Sequence, residues 1–246
     1  LRKHIPAWLV AVAAAAILAT ACEASADEWE CDLGLYAWLA GIDGDIGMGR
    51  VSGVPVNASF SDLASYLDFS AAAYFEARQP KYILATDVFY VNLGAERSAF
   101  INGATVDVEL DMTQWVIELG GAYRVRPDLD AWLAGRLYSV DAGSSFQGSQ
   151  LRGGSREWVD VFVGARYHRH FAERWVASAR ADVGAGGSDF AWFANAVIGY
   201  EFTRTFTLGA GYRVLSVDRE TGSGDEYFKY DIVMDGVGIV LQFALR

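Results

Sequence analysis

Trp158-Val159-Asp160-Val161-Phe162-Val163-Gly164-Ala165-Arg166-Tyr167-His168-Arg169 alternates with a period of two. One parity reads Val159, Val161, Val163, Ala165, Tyr167; the other reads Asp160, Phe162, Gly164, Arg166, His168. Successive side chains of a strand point to opposite faces, so one face here is apolar and the other carries charge. Six or more runs of the same kind fill the chain, and none shows a helical period. Behind an export signal, this pattern reads as an all-β fold, a transmembrane antiparallel up-and-down β-barrel.

The start of the chain supplies that signal. Arg2, Lys3 and His4 precede an apolar run from Ile5 to Cys22, and Ala24-Ser25-Ala26 offers a small-x-small cleavage site. Residues 1–26 are therefore expected to be a secretory signal peptide and residues 27–246 the barrel domain. A lipoprotein reading competes at Cys22, but Leu18 lies one position too far for the usual lipidation box. Removing the signal leaves 18 basic against 30 acidic residues, a net charge of −12 instead of −11. Such a chain does not suit nucleic acid, whose phosphates demand Lys and Arg. Cys31 is expected to stand alone once Cys22 departs. No mature stretch approaches the roughly 18 apolar residues of a spanning helix. Any membrane crossing must then be by closed barrel, because lipid satisfies no open strand edge.

Strand spans are expected near 33–48, 69–78, 81–93, 108–124, 130–141, 157–169, 174–185, 189–201, 205–217 and 229–245, about ten in all, with eight as the alternative. Tight turns at 79–80, 126–128, 171–173 and 203–204 alternate with longer connections at 49–68, 94–107, 142–156, 186–188 and 218–228. Short turns belong to the periplasmic end of an outer-membrane barrel and long loops to the exterior. Residues 59–69 hold the one helical candidate, a short segment over the outer mouth.

Aromatic spacing points the same way. On the apolar parity, Tyr82 and Tyr90, Trp115 and Tyr123, and Trp192 and Tyr200 each lie eight residues apart. On a strand tilted near 40° that is about 20 Å of height, close to the apolar band between two aromatic girdles. The opposite parity carries Glu76, Asp87, Glu118, Asp160, Asp182 and Glu201 with Arg78, Arg124, Arg136, Arg166, Arg180 and Arg213. Charges shut away from water persist when paired, so a mutually paired lumen is expected. Trp132, on Arg136's inward parity, and Asp235, on the outward parity of Val237, resist the scheme.

Little catalytic chemistry stands out. His168 and His170 share one strand face near a short turn but lack a third metal ligand of sensible spacing. No nucleophile elbow appears, and Ser139, Ser178 and Ser216 have no evident base. Neither Gly-rich segment, 41–47 or 143–154, leads into a helix that could receive a phosphate. No cofactor or metal is expected.

At Glu157-Trp158-Val159-Asp160, Gly164-x-Arg166-Tyr167 and Phe171-x-x-Arg174-Trp175, the chain resembles uncharacterised outer-membrane β-barrel proteins of Gram-negative bacteria. Leu35-Tyr36-x-Trp38-Leu39-x-Gly41-x-x-Gly44, Ser61-Asp62-Leu63 and Asp87-x-x-Tyr90 look similar to the same group. More loosely, the chain is similar to the opacity and outer-membrane-protein-A-like barrel superfamily. The resemblance implies an outer-membrane location and partners among outer-membrane lipid, lipopolysaccharide and the barrel-assembly machinery. One departure is the C-terminus, where Phe243 is followed by Ala244, Leu245 and Arg246 instead of closing the chain. The expected function is a non-enzymatic envelope scaffold or surface-interaction protein. A narrow channel for small solutes is the alternative, followed by a lipid-modifying enzyme and a soluble periplasmic β-domain.

Overall fold

The computed structural model describes residues 29–49, 51–64, 66–101, 104–146 and 149–245. The expected signal segment lies outside the described residues. Ten long strands close on themselves: β1 (Glu30–Met48), β3 (Leu67–Arg78), β4 (Tyr82–Ile101), β5 (Ala104–Arg126), β6 (Leu129–Phe146), β7 (Ser149–Ala172), β8 (Trp175–Gly186), β9 (Phe190–Glu201), β10 (Phe206–Thr221) and β11 (Phe228–Leu245). Each pairs antiparallel with its neighbours, and β11 pairs with β1 to complete the ring. An extra strand, β2 (Val51–Ala58), folds back on the upper half of β1, and the five-residue helix α1 (Phe60–Ala64) follows it.

All ten expected spans are strands, but the long connections were drawn too long. Residues 94–107 and 142–156 are mostly continuations of β4 to β7, which run to 18–24 residues, while β8 and β9 stop at 12. The region 49–68 holds β2 and α1 where a loop was expected, and the helix is shorter than the expected 59–69. Polar, Gly-rich strand above an apolar band reads as loop because alternation of apolar residues is the signal sought.

Following the hydrogen-bonded register once around fixes the geometry. Glu30 pairs with Arg78, and the row passes through Ile83, Ala122, Trp132, Gly164, Asp182, Phe193, Leu215 and Met234 to reach β1 again at Ile42. It returns twelve residues higher than it started. Ten strands with that stagger tilt by about 40° and give a backbone radius of about 10 Å. Each residue along a strand then rises about 2.5 Å along the barrel axis.

The faces are inverted relative to a soluble protein. Val159, Val161 and Val163 point outward and are more than half exposed, whereas Asp160 and Phe162 between them are fully buried. The same belt of exposed aliphatic side chains continues through Leu84, Leu119, Leu133, Val183, Ile198, Val237 and Ile239. An apolar belt encircling the molecule far exceeds the patches soluble monomers tolerate. Among the described residues no helix is long and apolar enough to cross a membrane. Cys31 is buried and packs with Phe75 and Ala77. Inside, glycine provides space: a Cβ on Gly34 would fall within the ring of Tyr74, its partner across β1 and β3.

Candidate functional site: a two-layered lumen

The lumen divides by height. From the short-turn end upward, the first group is Arg78, Asp32, Glu76, Arg166, Asp130, Arg124 and His168. Arg78 pairs with Asp32 at 2.5 Å and Glu76 at 3.2 Å; Arg166 grips both Glu76 and Asp130, the latter at 3.0 Å. Arg124 donates to Asp130 at 3.2 Å, and His168 Nδ1 lies 3.4 Å from the same carboxylate. Above it stands a closed quartet. Arg136 contacts Glu118 at 2.5 Å and Asp182 at 3.2 Å, and Arg180 contacts the same two acids at 2.7 Å each. At a similar height Arg213 donates to the Tyr36 hydroxyl at 2.7 Å, and Tyr36 donates to Asp87 at 2.8 Å.

Aromatic rings cover the guanidinium faces. Arg136 lies 4.0 Å over Phe162, Arg180 lies 4.2 Å over Trp132, and Arg213 lies 4.9 Å over Trp38 and Phe193. Trp132 thus belongs inside, because it is an arginine platform. Higher still the ion pairs give way to rings, with Arg219 lying 5.1 Å over Trp158 and Arg156 5.8 Å over Phe228. Tyr138, Trp158, Phe228 and Tyr230 stack at ring separations of 5.1–6.3 Å, with Val140, Leu215, Val217 and Ile232 around them. Tyr138 and Tyr230 have no exposed surface at all.

No protein-family model matches the chain, and no curated protein matches it. Among solved structures it is similar to the outer-membrane protease OmpT of Escherichia coli at 9% identity, with 90% of this chain and 98% of that chain covered and a TM-score of 0.52. The toluene transporter TodX of Pseudomonas putida matches at 12% identity over 89% of each chain with a TM-score of 0.36. The NanC porin matches at 11% identity over 87% of this chain and all of that one, also at 0.36. The first superposes closely enough to bear on the fold, and on the fold alone. The chain has the fold of an outer-membrane β-barrel. Nothing in these likenesses supports the narrower resemblance to opacity and outer-membrane-protein-A-like barrels.

Within this barrel, Glu76, Asp87, Glu118, Asp182, Arg78, Arg124, Arg136, Arg166, Arg180 and Arg213 come together as described. Asp160 does not join them: it is fully buried, and its Oδ1 accepts the Ser188 backbone N–H at 2.7 Å, tying the β8–β9 turn to the wall. Glu201 meets His170 at 3.0 Å on the exposed short-turn rim instead of a lumen arginine. Asp130, Asp32, Tyr36 and Tyr74 are lumen residues that the sequence reading missed. Asp130 shares the parity of Trp132 and Arg136, so alternation alone could have found it. Ser178 stands opposite His168 across β7 and β8, but the Asp130 carboxylate beside that histidine is already engaged by two arginines. Among the described residues no group of three or more His, Cys, Asp or Glu could hold a metal ion.

On the outer wall, Tyr82 faces Tyr123 across β4 and β5 at 5.7 Å, and Tyr90 faces Trp115 at 4.4 Å. The two pairs are separated by about 20 Å of height. Phe69 joins the upper pair. At the lower level Phe171, Trp175, Tyr200, Phe202, Phe206 and Phe243 form an unbroken chain of ring contacts at 4.9–6.3 Å. Trp192, eight residues before Tyr200 on β9, lies at the upper level. Asp235 sits at that level too, where the Tyr212 hydroxyl donates to it.

Proposed function

We propose that this protein is a sealed, non-enzymatic barrel of the bacterial outer membrane that works as an envelope scaffold, presenting its long-loop end to the exterior. The carrying observation is the lumen itself. An ion-paired layer and an aromatic layer follow one another along the axis, and Arg136, Asp182, Phe162, Tyr138 and Tyr230 in them are each at most 3% exposed. A backbone radius of about 10 Å is small enough for side chains to fill. The short-turn end then faces the periplasm, the two aromatic levels are the interfacial girdles, and the outer one meets lipopolysaccharide. The acidic row Asp45, Asp231 and Asp218, directly paired across β1, β11 and β10, lies above that outer girdle. Export by the N-terminal signal and folding by the barrel-assembly machinery belong to this reading, with the closing alternation through Phe243 and Leu245 as the segment the machinery meets.

The test is planar-bilayer conductance of refolded protein whose folding is checked by heat-modifiable gel migration. A folded, silent barrel is expected. Discrete, reproducible steps that change with Arg136→Ala would overturn the sealed reading in favour of a narrow channel.

A further inference from the structure

The wall of the barrel is not hydrogen-bonded all the way up. β1 pairs with β3 over Glu30 to Leu35 alone, and with β2 from Ile42 upward. Between them, residues 36–41 of β1 face residues 67–72 of β3 with no ladder joining the two edges. By register this seam runs from the upper half of the apolar band to the level of Tyr90 and Trp115, where Phe69 of β3 stands beside Tyr90. Unpaired strand edges at that depth would lose their hydrogen bonds to lipid, so something must cover them. α1 does so. Its lead-in packs on β1 so closely that a Cβ on Gly41 would come within 3.0 Å of the Ala58 carbonyl and 3.5 Å of Ser59.

Behind α1 lies a cavity of about 50 Å3. Leu63 and Phe60 of the helix, Phe89, Val91 and Met234 of the lumen wall, and Leu67 at the seam give it apolar walls. Trp38, Gln114 and Ser70 are the polar side chains among its described lining residues. Gln114 has no exposed surface, and neither its Nε2 nor its Oε1 has a hydrogen-bond partner among the described residues. The Tyr230 hydroxyl lies near the Gln114 amide but is likewise without a bond of acceptable geometry. Trp38 is 6% exposed and its Nε1–H is also unpartnered. A buried primary amide without partners is costly, and native cores rarely leave one so.

We propose that this cavity is a binding site for a neutral, single-chain amphiphile that enters sideways from the outer leaflet through the β1–β3 seam, with α1 as its movable cover. This rests on the reading of the barrel as membrane-embedded. The hydroxyl or carbonyl head accepts from Trp38 Nε1–H and exchanges hydrogen bonds with the Gln114 amide, and the hydrocarbon body lies among Phe89, Val91, Leu63 and Met234. Among the described residues no charged side chain lines the cavity, so a carboxylate or ammonium head would be stripped of water without a described partner to compensate it. Because α1 buries none of its own residues, its displacement costs little packing and opens the seam.

The test uses the full barrel in liposomes and a diazirine-bearing octanol as photolabel, with labelled residues located by mass spectrometry. Saturable labelling at Trp38, Gln114 or Phe89 is expected, competed at least tenfold more effectively by octanol than by octane or octanoate. Gln114→Leu should abolish that preference, and Leu63→Trp should abolish the labelling, both in barrels that remain heat-modifiable. A hexadecanol homologue, confined to the bilayer by its insolubility, should label the same residues. Equal competition by all three chains, or labelling spread over lipid-facing residues, would overturn the site. Labelling by the octanol alone would overturn the lateral route. A protein that fails to insert into liposomes would overturn the membrane reading, and the route with it.

Discussion

The two halves of the lumen solve the same problem with opposite chemistry. Toward the short turns, each arginine of the quartet bridges two carboxylates, and Trp132 and Phe162 cover the guanidinium faces. Toward the long loops the filling is Tyr138, Trp158, Phe228 and Tyr230 on aliphatic side chains. The difference matters for tolerance. A charged layer is all or nothing, because removing one partner strands another in a low-dielectric site, whereas an aromatic layer loses packing in proportion to what is removed. The two layers also lie in series, so on the proposed sealed reading either should suffice to keep the barrel shut.

The largest effect is therefore expected from Arg136→Ala. It leaves Glu118 and Asp182 to Arg180 alone and empties the space over Phe162, and should cost at least the ~3–5 kcal/mol of a broken buried pair. Urea-dependent unfolding in lipid vesicles measures it; a loss below 1 kcal/mol would show the quartet to be incidental. Next comes Tyr138→Ala in the aromatic layer, expected to cost about 3 kcal/mol as a large-to-small change at a fully buried ring. Each single variant should stay electrically silent, while the double variant leaks ions across a planar bilayer. A leak from Tyr138→Ala alone would show that the charged layer is wet and the aromatic one is the only seal.

The smallest effect concerns the cover over the cavity. The Ser59 hydroxyl and, second, its backbone N–H donate to Asp62, holding that carboxyl below the usual carboxylate range, while Ser59 Oγ accepts from the Asp62 N–H. This reciprocal box starts α1. A depressed folded-state pKa stabilises above the unfolded value of about 3.9 and is lost as pH falls through the lower folded value. Ser59→Ala at neutral pH should thus lower the amide-exchange protection of 60–64 relative to intrinsic rates, wild type should lose the same protection as pH falls through the depressed folded value, and the global unfolding midpoint should not move with the substitution. Unchanged exchange in the variant would mean that α1 is held by its contacts alone.

Much of this was legible in advance where alternation was strict. In β7 and β10 the parity of Val161 and Tyr212 puts Arg166 and Arg213 on the inner face, where the structure has them, because a one-residue slip would turn an arginine onto the apolar outer face; Arg219, inward over Trp158, was not singled out. Asp160 and Glu201 had the expected parity but not the expected partners. Parity tells which face a side chain takes, not how high on it the nearest opposite charge lies. The register offset of twelve residues, invisible in any single strand, brings Arg166 beside Glu76 across a separation of 90 residues. Neither β2 nor the seam it leaves was readable, since 49–68 lacks alternation and its fate depends on which edge of β1 remains free.

The sequence by itself determined that the chain is all strand, that its apolar face points outward and its charged face inward, and that ten such strands alternate with short and long connections. Those properties are local, set by a two-residue period and by turn residues. Only the tertiary structure decided the stagger, and with it the pairing of the charges, the layering of the lumen and the gap between β1 and β3. They follow from ring closure, a condition on all ten strands at once that no segment of the sequence carries.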